Sequence, residues 1–294
     1  MGMTLRLLRL LKIAATGTYV NNSFSTAKGA AYSALLSFFP VLTTLAAVLV
    51  QAHAEEVAHT LSSFLFEVVP PGTEDVVRNL FTVQGTRPNA LLAAAVVLAA
   101  WAASGAIVSL MEGFQSTYHI PSGRPFLKER SVALLLVLLS AVPALAASML
   151  IILDVRAEGM LASWLGLIPQ GADLRGWVQV TGKALQFGIA FGTFVFVTAL
   201  IYYIAPNRKQ TLRLVFPGAF LATFLWMLAT AVFGWYIRHV SNYNVLYGSV
   251  GAGLALLVWM YVLAIIALFG CEFNAAWERD RAAQPAQLSE SSSR

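Results

Sequence analysis

Residues 251–279 read GAGLALLVWMYVLAIIALFGCEFNAAWER. About twenty apolar residues run without a charge, and then a carboxylate, Glu272, and an amide, Asn274, stand among apolar neighbours. A run of that length suits a helix crossing a bilayer. A charge at its edge is tolerated if it reaches the interface or finds a partner inside the protein. The environment of that helix therefore decides how the rest of the chain is read.

The composition carries the same message. The chain is 58% hydrophobic and 11% charged, with a mean hydropathy of +0.72. A soluble domain carries about a quarter charged residues. These values point to an integral membrane protein and away from a soluble enzyme. The net charge of +5 does not indicate nucleic acid, because the basic residues sit in short segments between apolar runs. One cysteine, Cys271, excludes an internal disulfide and a multi-cysteine metal site. Arg6, Arg9 and Lys12 interrupt every apolar stretch before residue 20, so no secretory signal is expected.

Six segments are apolar enough to span, near 29–51, 90–112, 131–153, 185–205, 213–237 and 248–273. Each is expected to be helical, since isolated strands leave backbone groups unsatisfied in lipid. The expected fold class is all-α, a polytopic six-helix protein with added interfacial helices. Thirteen Lys and Arg residues fall on one side of these spans and six on the other. The richer side is expected to be cytoplasmic, with both termini there. Three regions follow: a cytoplasmic amphipathic segment over 1–27, a transmembrane domain over 28–279, and a disordered tail over 280–294. "LRLLRLLK" near the N-terminus reads as an inner-surface helix, and 55–69 as an outer interfacial one ended by Pro70-Pro71-Gly72. Residues 154–184 contain GMLASWLGLIP, an apolar stretch too short to span, and carry Trp164 and Trp177 for the headgroup level.

Small residues recur at four-residue spacing: Gly29, Ser33 and Ser37 in the first span, Gly105 and Ser109 in the second, Gly188 and Gly192 in the fourth. They let helix backbones approach, either within one bundle or across a homodimer. Pro40, Pro143 and Pro217 are candidate hinges, or kinks that only aid packing. Lys28, Glu112, Asn207, Glu272 and Asn274 are the candidate polar groups of a bundle interior or substrate path. Glu272 is expected to face inward and pair with Lys28 or Arg208.

Signs of catalysis are lacking. His53, His59, His119 and His239 are scattered, without HExxH or another metal spacing, and there is no GxSxG elbow. No catalytic, metal-binding or cofactor-binding residue is expected, and no enzyme activity.

Residues 202–279 resemble the C-terminal half of the YihY/virulence factor BrkB family of bacterial inner-membrane proteins. The matching elements are Pro206-Asn207, Pro217-Gly218-Ala219, Tyr247-Gly248-Ser249, Trp259 with Tyr261, and Gly270-Cys271-Glu272-Phe273-Asn274. "AAYSALLSFFP" and "RPFLKER" resemble the family's earlier elements, so the likeness covers about Lys28 to Arg279. It implies six spans and an inner-membrane location. It implies little chemistry, since members have been labelled virulence factors, transporters and a tRNA-processing ribonuclease. The ribonuclease label fits poorly, because the cytoplasmic segments are too short to build a nuclease site and an RNA surface. The expected function is to move or handle a lipid or another amphipathic envelope molecule. The alternative is a non-transporting scaffold that binds envelope-assembly partners through 52–89 and 154–184. The expected partners are membrane lipid, an amphipathic substrate and a second copy of the chain, with no nucleic acid.

Overall fold

The computed structural model describes residues 3–51, 89–121, 124–140, 172–239 and 243–292. Pro143, Trp164 and the outer interfacial helix expected at 55–69 lie outside these residues. Within them the chain is all-α. The helices are α1 (Met3–Val20), α2 (Ser23–Gln51), α3 (Asn89–Thr117), α4 (126–140), α5 (Ala172–Ile204), α6 (Leu212–His239) and α7 (Tyr243–Ser292). Among the described residues, four stretches are long and apolar enough to cross a membrane: Ala90–Thr117, Phe187–Ile204, Leu212–Tyr236 and Gly253–Ala283. Their outward faces carry Leu91, Val97, Phe187, Phe224, Val232 and Val258, all exposed. A protein whose large apolar side chains point outward along whole helices is dissolved in lipid.

Several helix boundaries differ from the expected spans. The third helix runs on to Thr117, which places Glu112 inside it rather than at its end. α5 starts at Ala172 and takes in part of what reads as an outer loop. α7 continues to Ser292, so the tail expected to be disordered is helical to that residue. Ala275, Ala276, Glu278, Ala282 and Ala283 favour continuation of the helix beyond the apolar run.

Close helix contacts follow the small residues. A Cβ added to Gly29 would lie 3.8 Å from Ser109 Oγ, and one added to Gly105 would lie 3.7 Å from Ser33 Cβ. The two contacts step four residues in opposite directions, the register of antiparallel neighbours α2 and α3. Ser37 is buried and donates to the Ala34 carbonyl at 2.9 Å, so its hydroxyl is satisfied within its own helix. Gly188 and Gly192 are different. Nothing among the described residues lies within 4 Å of a Cβ added at either. Among the described residues α5 presents this face outward, with Phe187 and Ile189 exposed beside Gly188.

The main core is built from α2 to α7, around Met111, Phe114, Leu136, Tyr202, Val215 and Leu268. Phe114 and Tyr202 meet edge to face, ring centroids 5.4 Å apart. A smaller core fixes α1 to α7 through Leu10, Ala14, Phe273 and Ala276. Thus the leucine-rich N-terminal helix spends one face on protein. Leu5 and Leu8 on its other side stay exposed.

The turns at one end of the bundle are set by left-handed residues. Asn22, His119 and Asn207 have φ of 58°, 52° and 28°. Asparagine and histidine tolerate this region better than most side chains. Asn207 is exposed and serves the α5–α6 turn after Pro206, so it is not an interior polar group. α3 ends in a Schellman motif. The His119 N–H bonds the Ser116 carbonyl and the Ile120 N–H bonds the Gln115 carbonyl, both at 3.0 Å. His119 occupies the position where glycine is usual.

Candidate functional site

The site is built around residues 268–276 of α7. From Gly270 to Ala276 every residue is buried, whichever way it points. A helix buried on all sides has neighbours on all sides, and here they are α1, α2, α3 and α6.

One side meets α6. Gly270 and Asn274, one turn apart, face Gly218. A Cβ on Gly218 would collide with the Gly270 carbonyl oxygen, and one on Gly270 would lie 2.9 Å from the Gly218 carbonyl oxygen. The same hypothetical Cβ on Gly270 would sit 2.5 Å from Tyr202 Oη. Only glycine allows this crossing. Asn274 brackets it. Its Oδ1 accepts the Gly218 N–H at 2.6 Å, and its Nδ2 donates to the Val215 carbonyl at 3.0 Å. Pro217 lies between these two backbone groups and has no N–H of its own. The amide of Asn274 is therefore fully engaged in holding a proline-containing turn. Pro40, the proline within α2, is exposed.

The opposite side meets α1 and α3. Glu272 is only 3% exposed. Its Oε1 accepts from Asn21 Nδ2 at 2.6 Å and from Thr117 Oγ1 at 2.8 Å. Its Oε2 lies over Gly17, where a Cβ would collide with it. The carboxylate points into the bundle, but the expected ion pair is not formed. Lys28 is exposed on α2, and Arg208 pairs with Glu278 and stacks 3.8 Å from the Tyr118 ring centroid. Neutral donors from the turn after α1 and from α3 take the place of a cation. Glu112 is likewise exposed, on a face of α3 turned away from α7. Of the five polar residues singled out from sequence, the structure brings together Glu272 and Asn274 on one buried segment and leaves Lys28, Glu112 and Asn207 outside it.

Around Glu272 a groove of about 370 Å³ opens between α1, the turn after α3, and α7. Glu272 and Gly17 form its floor, Ile13 and Val20 contribute apolar wall, and Lys12, His119 and Arg279 bring positive or proton-carrying groups. All three of these last residues are exposed. Arg279 also touches the Thr117 carbonyl at 3.4 Å. The sequence did not single out Lys12, Asn21, Thr117 or Arg279 for this role. Their only local signals are a basic residue on an amphipathic helix, and polar residues at helix ends.

The surrounding turns are tied down by side chains that satisfy helix-end carbonyls. Arg124 donates to the carbonyls of Ala205 at 2.9 Å and Ile204 at 2.7 Å. Gln210 donates to those of Tyr202 at 2.6 Å and Tyr203 at 3.0 Å. Burial lowers the Arg124 pKa, and Glu129 partly opposes this. Arg6 pairs with Asp280 at 2.6 Å and joins α1 to α7 beyond the groove. Burial is also the main cause that pushes the Tyr118 hydroxyl well above the ordinary tyrosine range, with the neighbouring Cys271 adding to it and Arg208 opposing.

Residues 18–294 match a family model described as virulence factor BrkB. Among curated proteins, the chain is similar to a ribonuclease-like protein, YfkH, of Bacillus subtilis, 29% identical over 247 residues, which are 83% of this chain and 86% of that one. It is 26% identical over 246 residues to a UPF0761 membrane protein of Pseudoalteromonas translucida, covering 83% of this chain and 78% of the relative. A UPF0761 membrane protein of Chromohalobacter salexigens is 26% identical over 265 residues, 89% of this chain and 62% of its own. No solved structure matches the chain. With the family model covering nearly the whole sequence and apolar helices forming its body, the chain belongs to the virulence factor BrkB family and is a membrane protein.

Proposed function

We propose that this chain is a six-span inner-membrane protein, with both termini cytoplasmic, that handles a lipid or another amphipathic envelope molecule without catalysing a covalent reaction. The observation that carries the reading is the groove over Glu272. It combines apolar wall from Ile13 and Val20 with the charged groups of Lys12, Glu272 and Arg279. Sites for small molecules are concave and mostly apolar, with a few convergent polar groups. An amphiphile supplies both kinds of surface at once.

The topology has its own support. Asn21, Thr117, Arg124, Ala205, Arg208 and Glu278 are linked by hydrogen bonds and ion pairs at one end of the bundle. That arrangement fits α2 leaving this end, α3 returning, α4 leaving, α5 returning, α6 leaving and α7 returning. The excess of Lys and Arg at this end supports a cytoplasmic placement for it.

The test is reconstitution into liposomes carrying a headgroup-labelled fluorescent phospholipid, with and without an imposed ion gradient. Dithionite quenching reports movement between leaflets. Accelerated movement relative to empty liposomes is the expected result. Folded protein that moves no labelled lipid under any gradient removes the transport reading and favours a scaffold. A parallel incubation with structured RNA addresses the nuclease reading suggested by the name of the Bacillus relative. Cleavage that persists through purification would overturn the non-catalytic assignment.

A further inference from the structure

We propose that the groove over Glu272 binds the headgroup of an aminophospholipid, with the primary ammonium on Glu272 Oε2 and the phosphodiester between Lys12 and Arg279. The inference rests on the proposed function and names the ligand class for it.

The argument starts from the carboxylate. An ionised carboxylate has two oxygens with about four lone-pair sites. Both hydrogen bonds to Glu272 fall on Oε1, from Asn21 and Thr117. Oε2 lies against the Cα of Gly17, and both residues line the groove. The absence of a side chain at Gly17 is what lets the carboxylate sit there, because any side chain would collide with Oε2. A carboxylate taken this far from water is stabilised by a charged donor, and the two neutral donors at Oε1 leave Oε2 for one.

The rest of the groove has the opposite sign. Lys12 and Arg279 are cations, and His119 stands beside them. A purely anionic headgroup would match the rim and be repelled by the floor. A quaternary ammonium would match in charge but has no N–H to donate to Oε2. A primary ammonium two carbons from a phosphate satisfies both the floor and the rim. Ile13 and Val20 then meet the glycerol and the first acyl methylenes. At about 370 Å³ the groove suits a headgroup, leaving the acyl chains in the bilayer.

The test is equilibrium binding of dihexanoyl lipids with phosphoethanolamine, phosphocholine and phosphoglycerol headgroups to the full chain in detergent, followed by calorimetry. The phosphoethanolamine lipid is expected to bind about tenfold more tightly than the other two, the difference one charge-assisted hydrogen bond makes. In Glu272→Gln that preference should fall to about twofold or less. In Lys12→Gln, an exposed position, all three lipids should weaken by about the same factor. Circular dichroism and thermal melting confirm that each variant is folded, and Lys12→Gln keeps the test decisive if Glu272→Gln is not. Equal affinities in the wild type, a preference for phosphoglycerol, or an unchanged preference in folded Glu272→Gln each overturns the proposal. Leaflet transport without headgroup preference sinks this inference alone. Selective binding without transport sinks the transport reading and leaves the site standing.

Discussion

Asn274 on α7 holds α6 by its backbone: one amide group accepts the Gly218 N–H at 2.6 Å and donates to the Val215 carbonyl at 3.0 Å, across the gap that Pro217 makes. Asn274→Ala leaves the buried Gly218 N–H without its side-chain acceptor. A loss of about 1–3 kcal/mol is expected. Asn274→Asp keeps an acceptor but loses the donor and puts a charge in a fully enclosed place, so it should be worse. Thermal melting in detergent ranks the three proteins. An Asn274→Ala variant as stable as the wild type would show that water or relaxed backbone replaces the amide.

The Gly218–Gly270 crossing predicts a contrast among glycines. Gly218→Ala and Gly270→Ala force backbone apart and should each cost about 1–3 kcal/mol or more. Gly188→Ala and Gly192→Ala meet nothing among the described residues, and should change stability by within about 0.5 kcal/mol. If the second pair proved as damaging as the first, α5 would have to carry a contact on that face in the membrane. Crosslinking between cysteine-labelled copies at Phe187 would then be the follow-up.

Thr117 is the donor to Glu272 contributed by α3. Thr117→Val keeps the shape and removes the hydroxyl. Hydrogen bonds to charged groups contribute about 1.5–3 kcal/mol, and a loss of that size is expected. Thr117→Ser should restore most of it. A melting point for the valine variant equal to that of wild type would mean that Asn21 alone satisfies Oε1.

Tyr118 gives a pH prediction. Burial raises its pKa in the folded protein above the value of about 10 for an unfolded tyrosine. The folded state therefore holds the proton more tightly. The associated stability is fully present below about pH 10 and is lost as pH rises through the folded value. The melting midpoint of the wild type should fall more steeply between about pH 10 and 11.5 than that of Tyr118→Phe. Parallel curves for the two proteins would place the alkaline loss elsewhere.

The helical class and the membrane location were legible because they depend on local composition. The run from Gly251 to Gly270 can satisfy its backbone in lipid only as a helix. The small-residue faces of Gly29 with Ser33 and of Gly105 with Ser109 were legible for a similar reason, since four-residue spacing is a property of one helix face, but that these two faces meet was supplied by the fold. Gly188 and Gly192 have the same spacing and, among the described residues, no such contact, which shows the limit of that signal. Spacing says that a face can be approached, and a neighbour must still be supplied.

What the sequence by itself determined is therefore an all-helical membrane protein with an unusual carboxylate and amide at the end of its last apolar run. The tertiary structure decided what those two groups do. Asn21 lies 251 residues from Glu272 and Thr117 lies 155 away. No local period relates positions so far apart. Their meeting depends on α1 packing against α7 through Leu10 and Phe273, and on α3 crossing α7 at Gly113 and Leu268. An isolated carboxylate in an apolar helix calls for a partner, and a cation such as Lys28 or Arg208 is the electrostatically natural choice from sequence. Packing placed Arg208 on Glu278 and left Lys28 at the surface, so the carboxylate was met by neutral donors on one oxygen while the other faces a groove.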